Sequence, residues 1–185
     1  MITTILNRLK LAGIETKEGQ VRLLNTHPVT GAPVTDIPIP TSPVYKSPVL
    51  VFLSQIGEAE VAGNDDNSTI MQYAKDCDMP EYTHDEIAWC SLLMNWIMLV
   101  CGFTRTKTLA ARDWLKIGIK ITDPQMGDVV IFWRDKPDGW EGHVALFIRK
   151  ENGVVWCGGG NQSNMISIIP MPEARVLGYR RMERI

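Results

Sequence analysis

The chain carries no surplus of basic charge: 19 Lys and Arg stand against 21 Asp and Glu, a formal net charge of -2 over 185 residues. Clustered cations are what draw a phosphate-coated partner, and no dense Lys/Arg stripe runs through the sequence, so nucleic-acid binding is not expected. The four cysteines, Cys77, Cys90, Cys101 and Cys157, are far apart and never in CxxC spacing, a pattern that fits neither a structural zinc site nor a small disulfide scaffold. The longest apolar run is interrupted by Ser91 and Asn95 and falls short of the roughly 20 residues a membrane span requires. A soluble protein without membrane insertion is expected. The opening stretch MITTILNRLKLAG places Asn7, Arg8 and Lys10 where a signal peptide needs an unbroken apolar segment, so no Sec export is expected and the protein is read as made in the cytoplasm. Histidine is scarce as well, with three in the whole chain.

What the sequence does have is a hydrophobic content of 45%, enough to bury the core of one ordinary domain with an extra segment. Residues 3–12 read as a short helix. Residues 25–48 then hold six prolines, each fixing its own φ and restricting its predecessor, which predicts an extended strap or linker. The domain boundary is placed near Ser47, giving a segment 1–47 and a domain 48–185. From Pro48 the pattern becomes globular. VLVFLSQIG predicts a helix closing at Gly57, and NSTIMQYAKDC a second, capped by Asn67 with Ile70, Tyr73, Ala74 and Cys77 on one face. The run 87–101 is apolar on nearly every side and predicts a buried central helix. TKTLAARDWLKIG predicts a further helix with Leu109, Ala110, Trp114 and Leu115 inward and Gly118 as its stop.

Beyond Pro124 the period changes. DVVIFWR, HVALFIRK, GVVWCGG, NMISIIP and RVLGYRRM are short, rich in β-branched and aromatic residues, and separated by Gly, Pro and Asn, which predicts an antiparallel meander. Helices first and strands afterwards give an α+β domain.

Cys90 follows Trp89 where charged residues give way to the apolar run. The first turn of a helix offers unpaired N–H groups and the positive end of the dipole, both of which favour a thiolate. A nucleophile is the reading this supports, although Thr83-His84-Asp85-Glu86 matches a capping box that would start the helix earlier and weaken the dipole argument. A catalytic cysteine also needs a base. His27 sits in the proline-rich strap, and His84 lies in an acidic loop. His143 opens the strand HVALFI behind Gly142, which leaves room for a substrate, and is the candidate base. An imidazole in that role is held in one tautomer by a third polar group. Asn161 is the first choice and Gln162 the reserve, because the glycines at 158–160 let the backbone approach closely there; a plain glycine-rich turn with a left-handed Asn is the competing reading. Ser91, Asp85 and Glu86 are near enough to Cys90 in sequence to contact substrate, and Trp89 and Trp140 are candidates to line the cleft, with core packing the alternative for Trp89 and a solvated acidic loop the alternative for Asp85 and Glu86. Cys101 and Cys77 read as packing. Cys157 ends a strand close to the site.

Trp89-Cys90-Ser91, Asn95-Trp96, Ala111-x-x-Trp114-Leu115, Pro124-x-x-Gly127-Asp128-Val129-Val130, Gly142-His143-Val144 and Gly159-Gly160-Asn161-Gln162-Ser163-Asn164, preceded by Glu60 with Gly63 and Asn67-x-x-Ile70-x-x-Tyr73, follow one another in an order that resembles the CHAP/NlpC-P60 superfamily of cysteine amidohydrolases and peptidases. The likeness covers roughly residues 49–181, with Leu93 where that group usually has an aromatic. It implies a papain-like α+β fold in which the cysteine helix packs on the sheet bearing the histidine. It also implies hydrolysis of an amide bond in peptidoglycan by Cys90, His143 and Asn161 or Gln162, in a groove open to solvent, with no metal and no cofactor. Peptidoglycan is the implied partner, joined by an immunity protein if the enzyme is a delivered toxin. Action in the periplasm or cell wall would follow holin release or a secretion machine. A non-catalytic wall-binding or phage structural module of the same fold, or a cysteine hydrolase of a non-wall amide, are the competing functions.

Overall fold

The computed structural model describes residues 47–63 and 65–185, together with the backbone of 14–17 and 20–23. The chain divides into two units between Tyr45 and Lys46. In the first, β1 (Ile14–Lys17) and β2 (Gln20–Leu23) pair antiparallel with Lys17 opposite Gln20, a hairpin that sequence patterning did not single out. The expected helix at 3–12 and nearly all of the proline-rich strap lie outside the described residues.

The second unit opens with α1 (Pro48–Gln55), whose proline occupies the first turn where its missing N–H is not needed. Val51, Phe52 and Leu53 are buried, and Gly57 at φ +91° ends the segment as expected. α2 (Ser68–Cys77) is capped as predicted: Asn67 Oδ1 accepts from the backbone N–H of Thr69 at 2.7 Å and of Ile70 at 3.2 Å. α3 (Cys90–Cys101) is buried almost all round and stops at Gly102 in a left-handed conformation. It begins at Cys90, with Trp89 at the cap position, so the earlier start suggested by Thr83–Glu86 does not occur. α3 packs on α1, on α2 and on β5 of the sheet.

The fourth α-helix expected in the domain is instead a 3-10 helix, Ala111–Lys116. The reason lies in the preceding residues, which Asn95 holds out of helical conformation, with Lys107 at a left-handed φ of 58°. Asn95 Oδ1 accepts from Lys107 N at 2.8 Å and its Nδ2 donates to Thr108 O at 3.1 Å, so the chain cannot coil until Ala111. Of the four residues expected inward, Trp114 is fully buried while Ala110 is exposed and Leu109 and Leu115 are half-buried.

The rest is a six-stranded antiparallel sheet of β3 (Ile119–Ile121), β4 (Val129–Trp133), β5 (Gly142–Glu151), β6 (Val154–Gly159), β7 (Ser167–Pro172) and β8 (Val176–Arg181). Its spatial order is β3-β8-β4-β5-β6-β7. β4 to β7 form the expected meander. β8 does not extend it; a 3-10 turn at Glu173–Arg175 sends the chain back to pair with the free edge of β4, with Phe132 opposite Val176. The domain is therefore α+β, with helices and an antiparallel sheet sharing one core. Val130, Phe132, Ala145, Phe147, Val155 and Cys157 form one buried cluster. The alternate residues Val129, Ile131, Val144 and Leu146 are also fully buried, so the centre of the sheet is covered on both faces.

Candidate active site

The glycines that end β6 explain how helix and sheet come together. A methyl group on Gly158 would lie 2.6 Å from the Phe52 ring of α1, and one on Gly160 would overlap the Trp89 ring and lie 3.0 Å from Leu93 Cδ2. On Gly159 it would meet Ala145 Cβ and Gln162 Oε1, each at 3.0 Å. Only hydrogen fits at 158 and 160, while at 159 a methyl would crowd the Gln162 amide, and the start of α3 is thereby seated against the turn that follows β6. Trp89 Nε1 donates to Glu60 Oε1 at 2.6 Å, and Glu60 N donates to Asn164 O at 2.9 Å. These bonds tie the residue before Cys90 to the same turn.

Cys90 is the first residue of α3, and the Trp89 side chain makes no capping hydrogen bond. The first-turn N–H groups are left without a side-chain acceptor. Burial opposes ionisation of the thiol, and it is the largest influence on it. The imidazole of His143, acting both as a hydrogen-bonding group and as a charge, the Val144 N–H and the more distant Arg134 guanidinium together outweigh it, holding the Cys90 pKa below the ordinary thiol value of 9.0. The other two thiols with altered acidity go the opposite way. Burial pushes Cys77 up to about 11 and Cys157 up to about 12.

His143 is the second residue of β5, opposite Phe132 of β4, whose ring stacks on the imidazole with centroids 6.3 Å apart. Its Nε2 lies 3.0 Å from Gln162 Oε1. The orientation of that amide is fixed by its other end: Gln162 Nε2 lies 2.6 Å from the carbonyl oxygen of Ser167, which can only accept. Oε1 is therefore the atom facing His143, and His143 Nε2 carries the proton donated to it. The remaining ring nitrogen, Nδ1, is buried and bonded to no nitrogen or oxygen. Nδ1 is thus left for the Cys90 thiol, whose acidity registers the imidazole even though no hydrogen bond of ordinary geometry closes the pair in the resting protein. Cys157 adds to the support of the amide, with Sγ 3.7 Å from Gln162 Oε1.

The side chain at hydrogen-bond distance from the His143 ring is thus that of Gln162, the reserve from sequence, and not that of Asn161, the first choice. Asn161 takes a left-handed φ of 54° in the turn and is half-buried, as the competing reading of a glycine-rich turn supposed, while Gln162 is buried beneath it. Other expected contacts also differ. Gly142 leaves no room for a substrate, because a side chain there would meet Phe132 O at 3.0 Å and Arg112 Cγ at 3.1 Å. Ser91 is fully buried, donating to Thr108 O at 2.7 Å and accepting from Trp114 Nε1 at 2.9 Å, so it presents no surface to a ligand. Asp85 is buried too, and its Oδ2 accepts from Val61 N at 2.9 Å and Asn67 N at 2.7 Å, which makes it the staple of the loop before α2. Trp89 is core. Trp140 (86% exposed) and Glu86 are on the surface.

A groove of about 320 Å³ opens beside the base, lined by His143, Asn161, Gln162 and Ser163 over the apolar Ile169 and Met171. Cys90 does not line it and is only 3% exposed, so the thiol does not stand in a groove open to solvent as expected, and His143, 2% exposed, reaches the groove only by its edge. Among the described residues no three His, Cys, Asp or Glu side chains are grouped to hold a metal ion, and no helix is long and apolar enough to cross a membrane. Sequence patterning gave no weight to the choice of Gln162 over Asn161 or to the Glu60–Trp89 bond. The available signal was the glycine run itself, which marks where backbones meet but not which amide points inward.

No family model and no curated protein matches the chain. Among solved structures, the crystal structure of an NlpC/P60 family protein from Bacillus cereus ATCC 10987 is similar over 50% of this chain and 30% of that one, at 24% identity and a TM-score of 0.39.

Proposed function

We propose that the protein is a cysteine amide hydrolase acting on the stem peptides of peptidoglycan, as an N-acetylmuramoyl-L-alanine amidase or an endopeptidase, with Cys90 as nucleophile, His143 as base and Gln162 as the group that orients the imidazole. The observation that carries this is the arrangement around His143: Nε2 engaged by a fixed amide oxygen, Nδ1 buried without a partner, and a thiol at a helix start whose acidity the imidazole raises. The ordered motifs from Glu60 to Asn164 support the wall as substrate.

In the reaction, Nδ1 accepts the Cys90 proton and the thiolate adds to the scissile carbonyl. The oxyanion that develops is met by the uncapped N–H groups of the first turn of α3. His143 then delivers its proton to the leaving nitrogen as the C–N bond breaks, and water releases the acyl group from sulfur. The same fold without activity, as a wall-binding module, would have no use for a thiol of lowered pKa. Delivery to the wall by a phage lysis system or a secretion machine, with an immunity protein in the second case, fits this chemistry. Incubation with purified peptidoglycan and mass spectrometry of the new termini tests the proposal: Cys90→Ala and His143→Ala each abolish release, and unchanged muropeptides from the unaltered protein would refute it.

A further inference from the structure

We propose that the groove beside His143 is a carboxylate subsite, with Arg134 and Arg175 as its two cationic walls, and that it receives the residue on the amine side of the scissile bond. The inference rests on the amide hydrolysis assigned above to Cys90 and His143. Strand register brings the three residues together. Phe132 of β4 is opposite His143 on one side and Val176 on the other, so Arg134, two residues past Phe132, and Arg175, one before Val176, come to the same end of the sheet as the base. Both arginines line the groove.

Their state differs from that of their neighbours. Arg181 is paired with Asp128 and Arg149 with Glu151, while Arg105, Arg112 and Arg180 donate to backbone carbonyls. Arg134 and Arg175 form no ion pair with any described residue. The Arg175 guanidinium lies over the Trp133 ring at 5.0 Å, a contact with the ring face that does not use its N–H donors. Two guanidinium groups without a carboxylate, at the rim of a groove floored by Ile169 and Met171, suit an aliphatic residue ending in a carboxylate. The side of the bond follows from the chemistry. His143 must hand its proton to the leaving nitrogen, so the leaving residue lies on the base's side of the thiol, and the groove touches His143 but no residue of α3.

The test compares sacculi with free carboxylates against sacculi whose carboxylates have been converted to primary amides with carbodiimide and ammonia. The unaltered protein is expected to cleave free-carboxylate sacculi roughly tenfold faster, and the Arg134→Gln/Arg175→Gln double variant to lose that preference. Equal cleavage of both substrates by the unaltered protein, or retention of the preference by the double variant, would overturn the subsite. Should neither substrate be cleaved, the hydrolase reading fails, and the subsite is tested separately by the ratio of Cys90 alkylation rates with iodoacetate and iodoacetamide. Any change in the thiol's own acidity cancels in that ratio. A several-fold fall in the double variant supports an anion site beside the thiol, and an unchanged ratio refutes it.

Discussion

Gln162→Ala isolates the group that sets the imidazole. The substitution removes the acceptor 3.0 Å from His143 Nε2 and the donor 2.6 Å from Ser167 O. His143 is only 2% exposed, so water cannot replace the lost partner without rearrangement. An unpaired buried donor of this kind costs about 1–3 kcal/mol. The ring recovers that energy by turning or by exchanging its proton to the other nitrogen, and either change withdraws Nδ1 from Cys90. A loss of about 1.4 kcal/mol of thiolate stabilisation raises the thiol pKa by about one unit, and kcat/KM is expected to fall roughly 10- to 100-fold. The assay that needs no knowledge of the substrate is the pH profile of Cys90 alkylation by iodoacetamide, followed on the peptide containing that residue. In the unaltered protein the midpoint is expected below the ordinary thiol value. It moves upward in Gln162→Ala and stays in place in Asn161→Ala. A shift in the Asn161 variant with none in the Gln162 variant would refute the assignment of the orienting group.

Three further outcomes follow from side chains outside the pair. Cys101→Ala, at the far end of α3 and 4% exposed, loses about 1 kcal/mol of stability in urea unfolding and keeps the Cys90 alkylation profile; a folded variant without that profile would contradict the division of roles between the two thiols. Asp85→Ala removes a fully buried acceptor from Val61 N and Asn67 N of a largely exposed loop, so a fall of about 1–3 kcal/mol is expected, and an unchanged urea midpoint would refute the staple. Cys157 has its folded pKa raised from 9.0 to about 12. A raised folded pKa contributes stability that is fully present below the unfolded value and is lost as pH rises. Stability is therefore expected to decline between pH 9.0 and about 12, by on the order of 4 kcal/mol. Cys157→Ala flattens that decline, and an equally steep loss in the variant would show that other groups cause it.

Most of the fold was legible where a local rule and the tertiary structure agree. The Asn67 cap, the proline-started α1, the buried α3 and the meander β4 to β7 all follow from spacing and capping chemistry that neighbours along the chain decide. What was not legible depends on partners distant in sequence. The segment 106–116 has a helical pattern, but Asn95 of another element claims its backbone and reduces the helix to a 3-10 turn. β8 has the same pattern as the meander strands, and nothing in its residues says that it returns to β4. In the candidate site, Cys90 and His143 could be singled out because so few cysteines and histidines compete. The choice between Asn161 and Gln162 was not, since two adjacent amides differ in sequence by one methylene and in space by which side of a left-handed turn they face. Ser91 and Asp85 looked available because they are polar and near Cys90; their hydrogen bonds are spent on Thr108, Trp114, Val61 and Asn67.

The burial of the reactive pair follows from the same contacts that assemble it. Thiol and imidazole come together because Gly158 and Gly160 let Phe52 and Trp89 press against the end of β6, and because Gly159 leaves space for the Gln162 amide. Each contact excludes water, which by itself disfavours the thiolate and makes desolvation the largest single influence on Cys90. The thiol is still more acidic than an ordinary cysteine because its partners are fixed in place: an imidazole whose other nitrogen is committed to Gln162, the Val144 N–H and the Arg134 charge. Such groups need no reorganisation when charge develops. The groove is on the side of the imidazole, so under the proposed reaction the first part of a substrate to be recognised would be the part that leaves. Enlarging Gly160 to Ala should therefore disable the site without touching any reacting atom, since it pushes Trp89, and with it the start of α3, away from the turn that holds Gln162. A folded Gly160→Ala protein in which Cys90 alkylates with the original pH midpoint would show that the pairing does not depend on this close approach.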